Sequence, residues 1–270
     1  MSDTPHPSYA LATRAIHDPG CTDPHGSPHV PIYNTTTFAF AATAELLEVV
    51  EGRRTGSLYT RYGLNPTIQA VERLLAGLEN AAAAWVFASG MAAASALFFA
   101  HGRQGIVCVG DAYGGTLELL STQLPLLGIP THFLSTAELP RLGGLLAGGG
   151  KLVFCESPTN PTLELIDIRA LAEQSHAHGA RLAVDNTFAS PINQQPLSLG
   201  ADFVLHSATK YLGGHSDLTA GALIGAAGLL TPVALWRKNL GSLPAPETAA
   251  LLARSLRTLE VRVSRQNATA

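Results

Sequence analysis

Lys210 is well placed to do covalent chemistry. It closes the stretch Ser207-Ala208-Thr209-Lys210, directly after the apolar run Phe203–Leu205 and ahead of the pair Gly213-Gly214. A lysine just past a strand end, beside two hydroxyls, suits an amine that condenses with an aldehyde to a Schiff base while Ser207 and Thr209 hold a phosphate. The amine must be unprotonated to attack, and desolvation in a cleft moves it toward that state. The plain alternative is a surface-loop lysine, because S-x-x-K is a short pattern.

Asp185 ends the run Arg181–Val184. A carboxylate at that depth needs a cationic or strong donor partner. A protonated pyridine nitrogen would be one, and the pair would keep such a ring an electron sink; otherwise Asp185 caps the following turn. Ser89-Gly90-Met91 stands where the helical run Ala92–Ala100 would begin. A glycine there lets backbone N–H groups approach a phosphate whose charge the helix dipole favours, although a serine-capped helix start reads the same way. Tyr113, in Asp111-Ala112-Tyr113-Gly114-Gly115, offers an aromatic face to a planar ring, or is a turn tyrosine. Tyr59 and Arg61 offer a hydroxyl and a guanidinium to a phosphate, or lie in a solvated loop. The histidines show no metal spacing: His176 and His178 fall on different faces of a helix, and no H-E-x-x-H occurs. No metal site is expected.

These residues need a frame. Pro66–Glu79 carries apolar residues at Ile68, Val71, Leu74, Leu75 and Leu78, a helical period opened by a proline. Beyond it, continuous apolar runs at Ile106–Val109, Thr131–Leu134, Leu152–Cys155, Leu182–Val184, Phe203–Leu205 and Ala222–Ile224 read as buried strands. Helical stretches at Leu117–Leu127, Ala137–Ala147 and Ile168–Gly179 separate them. That alternation predicts an α/β fold with a mainly parallel sheet covered by helices on both faces. Ligands in such folds collect beyond the C-terminal ends of the strands. The polar clusters Asp111–Gly115, Glu156–Asn160, Asp185-Asn186 and His206–Lys210 all fall there.

Residues 1–60 read as an irregular N-terminal arm, broken by Pro19, Pro24, Pro28 and Pro31; residues 61–245 read as the large domain. With 46% hydrophobic and 14% charged residues and a net charge of −3, the chain is neither disordered nor a nucleic-acid binder. Cys21, Cys108 and Cys155 are isolated from one another, as expected of reduced thiols in a cytoplasmic protein. The alanine-rich run Ala81–Ala100 is a weak candidate for a membrane span, and none is expected.

Eight stretches, in order, resemble one family. They are ATRAIH at Ala12, VPIYNTTTF at Val30, YTRYGLNPT at Tyr59, FASGMAA at Phe87, DAYGGT at Asp111, ESPTNPT at Glu156, AVDNTFASP at Ala183 and HSATKYLGGHSD at His206. The series is similar to the Cys/Met-metabolism enzymes that depend on pyridoxal phosphate (PLP): cystathionine γ-synthase, cystathionine γ- and β-lyases, methionine γ-lyase and homoserine sulfhydrylases. The resemblance implies the fold-type-I, aspartate-aminotransferase-like architecture and a trans-sulfuration chemistry, γ-replacement or β/γ-elimination on homoserine-derived or sulfur amino acids. It implies Lys210 as the Schiff-base lysine, Asp185 against the pyridinium nitrogen, Asn160 at the ring's phenolic oxygen and Tyr113 stacked on the ring. Gly90, Met91, Ser207 and Thr209 would hold the phosphate. Tyr59 and Arg61 would reach the phosphate of a neighbouring subunit, so a homodimer or homotetramer is implied.

Two departures stand out. Leu64 looks inserted between Gly63 and Asn65, which would shift the loop carrying Tyr59 and Arg61. Residues 246–270 resemble the start of the helix leading to the family's C-terminal domain, which would then be absent, leaving Leu251, Leu252, Leu256 and Leu259 uncovered. Gly115 stands where methionine γ-lyases usually carry cysteine, and Gly63–Thr67 is nearer the γ-type pattern than that of β-lyases. The resemblance thus points first to a cystathionine γ-synthase or γ-lyase, then to an O-acylhomoserine sulfhydrylase, a methionine γ-lyase, or a truncated PLP binder with little turnover.

Overall fold

The computed structural model describes residues 9–17, 20, 23, 25–148 and 151–270; Pro19, Cys21 and Pro24 lie outside them. Seven strands form one sheet: β1 Ala83–Phe87, β2 Ile106–Val109, β3 Thr131–Leu134, β4 Leu152–Glu156, β5 Arg181–Asp185, β6 Phe203–His206 and β7 Gly221–Gly225. Their order is β1-β7-β6-β5-β4-β2-β3. Strands β2 to β6 pair in parallel, and β7 runs antiparallel to both β6 and β1. All six expected strands are present.

The seventh, β1, replaces the first part of the alanine-rich run. Ala83, Ala84, Trp85, Val86 and Phe87 pair with β7, and the chain then turns at Ser89 into a helix. Alanine gives no helix/strand signal of its own here; the antiparallel partner decides. Among the described residues no helix is long and apolar enough to cross a membrane.

The helices are α1 Leu11–Ile16, α2 Thr43–Val50, α3 Pro66–Leu78, α4 Gly90–His101, α5 Gly114–Glu118, α6 Leu124–Leu126, α7 Leu142–Leu146, α8 Ile168–Ala177, α9 Ser190–Asn193, α10 Ala227–Leu240, α11 Pro246–Leu256 and α12 Leu259–Thr269. The stretch expected to be irregular thus carries α1 and α2. The helix expected over Leu117–Leu127 is split, with a π-helical Leu119–Gln123 joining α5 to α6. The one expected over Ala137–Ala147 begins as a 3-10 turn at Thr136–Arg141, where Pro140 withholds an N–H.

Helix α3 shows how local chemistry sets a boundary. Asn65 caps it by accepting the Thr67 N–H at 2.9 Å, Pro66 occupies the first turn, and Ile68, Val71, Leu74, Leu75 and Leu78 are buried. Such a cap is worth about 1 kcal/mol. The buried stripe packs against β1, β7 and α11. Leu252, Leu256 and Leu259 complete that core and are fully buried, so the expectation that they would be uncovered fails; only Leu251 is exposed, at 39%.

Side chains alternate across the sheet. Val86, Val107, Val153, Val184 and Val204 face a layer of α3, α11, α12, α7 and α8. Phe87, Cys108, Phe154, Ala183, Phe203 and Leu205 face α4, α10 and the α5–α6 segment. By the same period of two, Glu156 and Asp185, at the ends of β4 and β5, point to the α4 side.

Candidate active site

The parallel strands end at one edge, and the expected residues gather there. Asp185 sits at the floor. Its Oδ1 accepts the Thr187 N–H at 2.9 Å and the Thr187 hydroxyl; among the described residues no donor meets Oδ2. Thr187 Oγ1 in turn accepts the Ser207 N–H at 2.8 Å, tying the end of β5 to the turn after β6. Protein around Asp185 withholds water and raises its carboxyl, against the Thr187 donors and the nearby His206. A half-buried acid with one oxygen free is suited to a cationic donor from a ligand.

Helix α4 starts beside it. Ser89 Oγ caps the helix by accepting the Ala92 N–H at 3.1 Å, which leaves the N–H groups of Gly90 and Met91 without intrahelical acceptors. A Cβ on Gly90 would lie 2.9 Å from Ser207 Cβ and 3.0 Å from Ser207 Cα, so glycine is what lets the helix start approach the Ser207 turn. Two free N–H groups at a helix N-terminus next to a serine hydroxyl form an anion cradle.

Lys210 follows in that turn, its N–H donating to Ser207 O at 3.0 Å. The side chain is exposed, so the described residues do not bury the amine as the sequence led us to expect. The open edge of the cleft is the reason. Thr209 points elsewhere: its hydroxyl donates to Ala220 O at 3.2 Å and accepts the Ala220 N–H at 3.0 Å, so it must rotate to meet a phosphate.

On the other side, Tyr113 presents a ring that is 51% exposed. A Cβ on Gly115 would come 2.7 Å from Tyr113 Cε1 and 3.5 Å from Met91 Sδ, so Gly115 sets the ring's resting place between α5 and α4. The Tyr113 N–H donates to Glu156 Oε1 at 2.7 Å, and the Asn160 N–H donates to the same carboxyl. Thr162 Oγ1 adds a bond to Asp111 Oδ2 at 2.9 Å, so the Tyr113 turn and the Asn160 loop are joined twice.

Tyr59 and Arg61 are placed apart from this group. Arg61 donates to Lys238 O at 2.8 Å and lies over the Tyr59 and Tyr62 rings, beside Gly241. Arg61 lines two open depressions, of ≈ 700 and ≈ 790 Å³, and Tyr59 lines the second. Leu64 is accommodated locally: Gly63 takes a φ of 81° and Leu64 O accepts the Leu58 N–H at 3.0 Å.

Three contributors went unmarked in the sequence. Glu156 and Thr187 are the acids and hydroxyls that connect the expected residues. Arg262 donates to Tyr211 O at 2.7 Å, Leu212 O at 3.3 Å and Ser255 O at 3.0 Å, bracing the turn after Lys210 from α12. Among the described residues no cluster of histidine, cysteine, aspartate and glutamate could hold a metal.

The chain matches the model of the Cys/Met metabolism PLP-dependent enzymes over residues 12–270. It belongs to that family. Its cofactor is therefore pyridoxal phosphate. The chain is 42% identical over 263 residues to cystathionine gamma-synthase of Mycobacterium tuberculosis, covering 96% of this chain and 66% of that relative. It is 36% identical over 265 residues to L-methionine gamma-lyase of Pseudomonas putida, with 96% and 66% covered. Among solved structures it resembles metB of Corynebacterium glutamicum (TM-score 0.85, 40% identity) over 94% of this chain and 65% of that one. It also resembles cystathionine gamma-lyase of Lactobacillus plantarum complexed with L-serine (TM-score 0.84, 37% identity), with 94% and 65% covered. The chain thus spans just under two thirds of the length of these relatives. Likeness at that level to such enzymes makes the fold the PLP-dependent transferase type.

Proposed function

We propose that the protein catalyses γ-replacement or β/γ-elimination on a homoserine-derived or sulfur amino acid, with a cystathionine γ-synthase or γ-lyase activity as the first reading. The observation that carries it is the unbroken set of contacts from the α4 N-terminus through Ser207, Thr187, Asp185 and Glu156 to Tyr113, with Lys210 at its rim. Amine, acid, anion cradle and aromatic face then share one cleft, and the free Asp185 oxygen and the free Gly90 and Met91 N–H groups fit the cofactor's two ends.

Bound there, pyridoxal phosphate supplies an electron sink for bond breaking at a substrate's Cα. The chain's own residues do the rest. Asp185 Oδ2 would meet the ring nitrogen and hold its proton. Gly90 and Met91 N–H groups and the Ser207 hydroxyl hold the phosphate, with Thr209 after rotation. Tyr113 would stack on the ring, and Asn160 would contact its phenolic oxygen. Lys210 supplies the amine that anchors the cofactor and carries protons between the substrate's Cα and Cβ. Residues 61–245 would form the cofactor-binding unit, 1–60 the arm, and 246–270 a helical extension. The substrate is a small amino acid.

Assays against cystathionine, O-acylhomoserines with cysteine, and methionine test the reading. Turnover of cystathionine or an O-acylhomoserine is expected to exceed that of methionine by at least about tenfold, since one group's fit in a pocket gives that much discrimination. A colourless protein with added PLP, or consumption of methionine alone, would overturn it. A second reading, a relative that holds the cofactor with little turnover, is favoured by Arg262: its guanidinium is already bound to three carbonyls and is not free for a substrate carboxylate. Weak turnover of all three substrates by a yellow protein would select it.

The separate placement of Tyr59 and Arg61 supports a shared site, in which these residues serve the phosphate of the neighbouring subunit. Mixing Arg61→Ala with Lys210→Ala protein is expected to restore activity, because one hybrid site has both residues intact. On random mixing into dimers about a quarter of wild-type sites return. Absence of recovery, with subunit exchange demonstrated by pull-down of mixed tags, would rule out action across subunits.

A further inference from the structure

We propose that Glu156 is a positioning residue of the cleft: a neutral, proton-carrying carboxyl beside ionised Asp185 that ties the Tyr113 turn to the Asn160 loop. The inference starts from register. Glu156 ends β4 and is the direct partner of Asp185, which ends β5. Both side chains point to the α4 face, and neighbouring strands lie about 4.8 Å apart. Glu156 is buried, at 5% exposure. Two carboxyl groups this close and this dry cannot both hold a negative charge, so one proton stays with the pair.

Geometry decides where it stays. Asp185 has two donors from Thr187, His206 near it, and an oxygen open to the cleft. Glu156 has the backbone N–H groups of Tyr113 and Asn160, and these favour its ionised form less than burial and the neighbouring acid oppose it. Among the described residues no other facing group supplies a cation. From β2 the Cys108 thiol is pushed up to about 12 by burial and stays neutral; Asp111, in the following turn, adds only negative charge. On β4 itself the Cys155 thiol lies on the opposite face and is likewise raised by burial. Burial, reinforced by the Asp185 charge, pushes the Glu156 carboxyl up to about 8. The proton on Glu156 is what lets Asp185 keep its charge at neutral pH, and the two accepted N–H groups fix Tyr113 and Asn160 on either side of the cleft.

The role of Asp185 rests on the functional reading above, but the proton on Glu156 does not, so the cofactor-free protein provides the first test. A carboxyl whose folded-state value is raised stabilises fully below its unfolded value and loses that contribution as pH rises to the folded one. Between about 4.3 and 8 the unfolding constant of the wild type, divided by that of Glu156→Gln, should therefore rise about tenfold per pH unit, then level off. Denaturant titrations across pH 5 to 9 read this ratio, and the groups that do not interact with Glu156 cancel in it. A flat ratio would overturn the proposal.

The second test is PLP affinity by equilibrium titration at pH 7. Glu156→Gln keeps the acceptor and the neutral state, so its affinity should stay within about threefold of wild type. Glu156→Ala, which strands two N–H groups, should lose about tenfold or more, the loss expected for unsatisfied buried donors. Equal loss in both variants would also overturn the proposal. Glu156→Asp guards against a glutamine variant that fails to fold: it should keep the pH-dependent ratio against Glu156→Ala but weaken PLP binding through its shorter reach. A pH ratio as expected, with no PLP binding by any of the proteins, would leave Glu156 protonated and remove instead the reading of Asp185 as the ring's partner.

Discussion

Lys210→Ala protein is expected to lose every trace of borohydride-reducible PLP absorbance while remaining folded. The chain has three lysines, Lys151, Lys210 and Lys238, so few amines compete for the aldehyde. Lys151 Nζ is committed to the carbonyls of Leu145 and Ala147 at the sheet's opposite end, and Lys238 Nζ lies 4.5 Å over the Tyr62 ring. Neither stands near the Gly90–Ser207 cradle. Because Lys210 is exposed, its truncation should change stability by no more than about 0.5 kcal/mol. Turnover should fall about 10³-fold or more, since both anchoring and a positioned proton carrier are lost. Peptide mapping after borohydride reduction checks the assignment: a labelled peptide holding Lys151 or Lys238 in the variant would show that the reactive amine is elsewhere.

Strand-end chemistry was legible because parallel strands make it so. Each of Ile106–Val109, Leu152–Cys155, Leu182–Val184 and Phe203–Leu205 is apolar throughout, which happens only when both faces are covered, and each is followed at once by polar residues. That juxtaposition marks the stretches that hold Tyr113, Asn160, Asp185 and Lys210. What it could not give is which side a residue faces relative to another strand. Glu156 and Asp185 are 29 positions apart in sequence and opposite each other only through the β4–β5 register. Arg262 escaped for a similar reason, since its three acceptors are carbonyls, and a backbone oxygen leaves no mark on a sequence. Strand β1 was hidden by alanine, whose small side chain fits helix and strand cores alike. Three of the four leucines of the C-terminal helices, Leu252, Leu256 and Leu259, were misjudged because they join one core with α3. Their partner lies about 180 residues earlier in the chain, beyond the reach of periodicity.

The cleft also predicts that Asp185→Asn separates activity from stability. Asparagine matches aspartate in shape, and its carbonyl oxygen can keep the two Thr187 hydrogen bonds now made to Oδ1. What changes is the atom facing the cleft, where a carboxylate oxygen becomes an NH₂ donor. A ring nitrogen beside it is no longer held protonated, and the electron sink weakens. Loss of a charged hydrogen bond costs about 3 kcal/mol, so kcat/KM should fall about 100-fold or more. PLP affinity should suffer less, because the phosphate cradle at Gly90, Met91 and Ser207 is untouched. Stability should move the other way. Burial raises the Asp185 carboxyl, so ionising it takes stability from the cofactor-free fold as pH climbs above the unfolded value near about 3.9. Asparagine has no charge to bury, and the cofactor-free variant should unfold at a higher denaturant concentration than the wild type at pH 7. It also leaves Glu156 without a charged neighbour, which lowers that group's own resistance to ionisation. Near wild-type turnover would remove Asp185 from the chemistry, and a lower unfolding midpoint would show that its charge is compensated inside the fold rather than reserved for the cofactor.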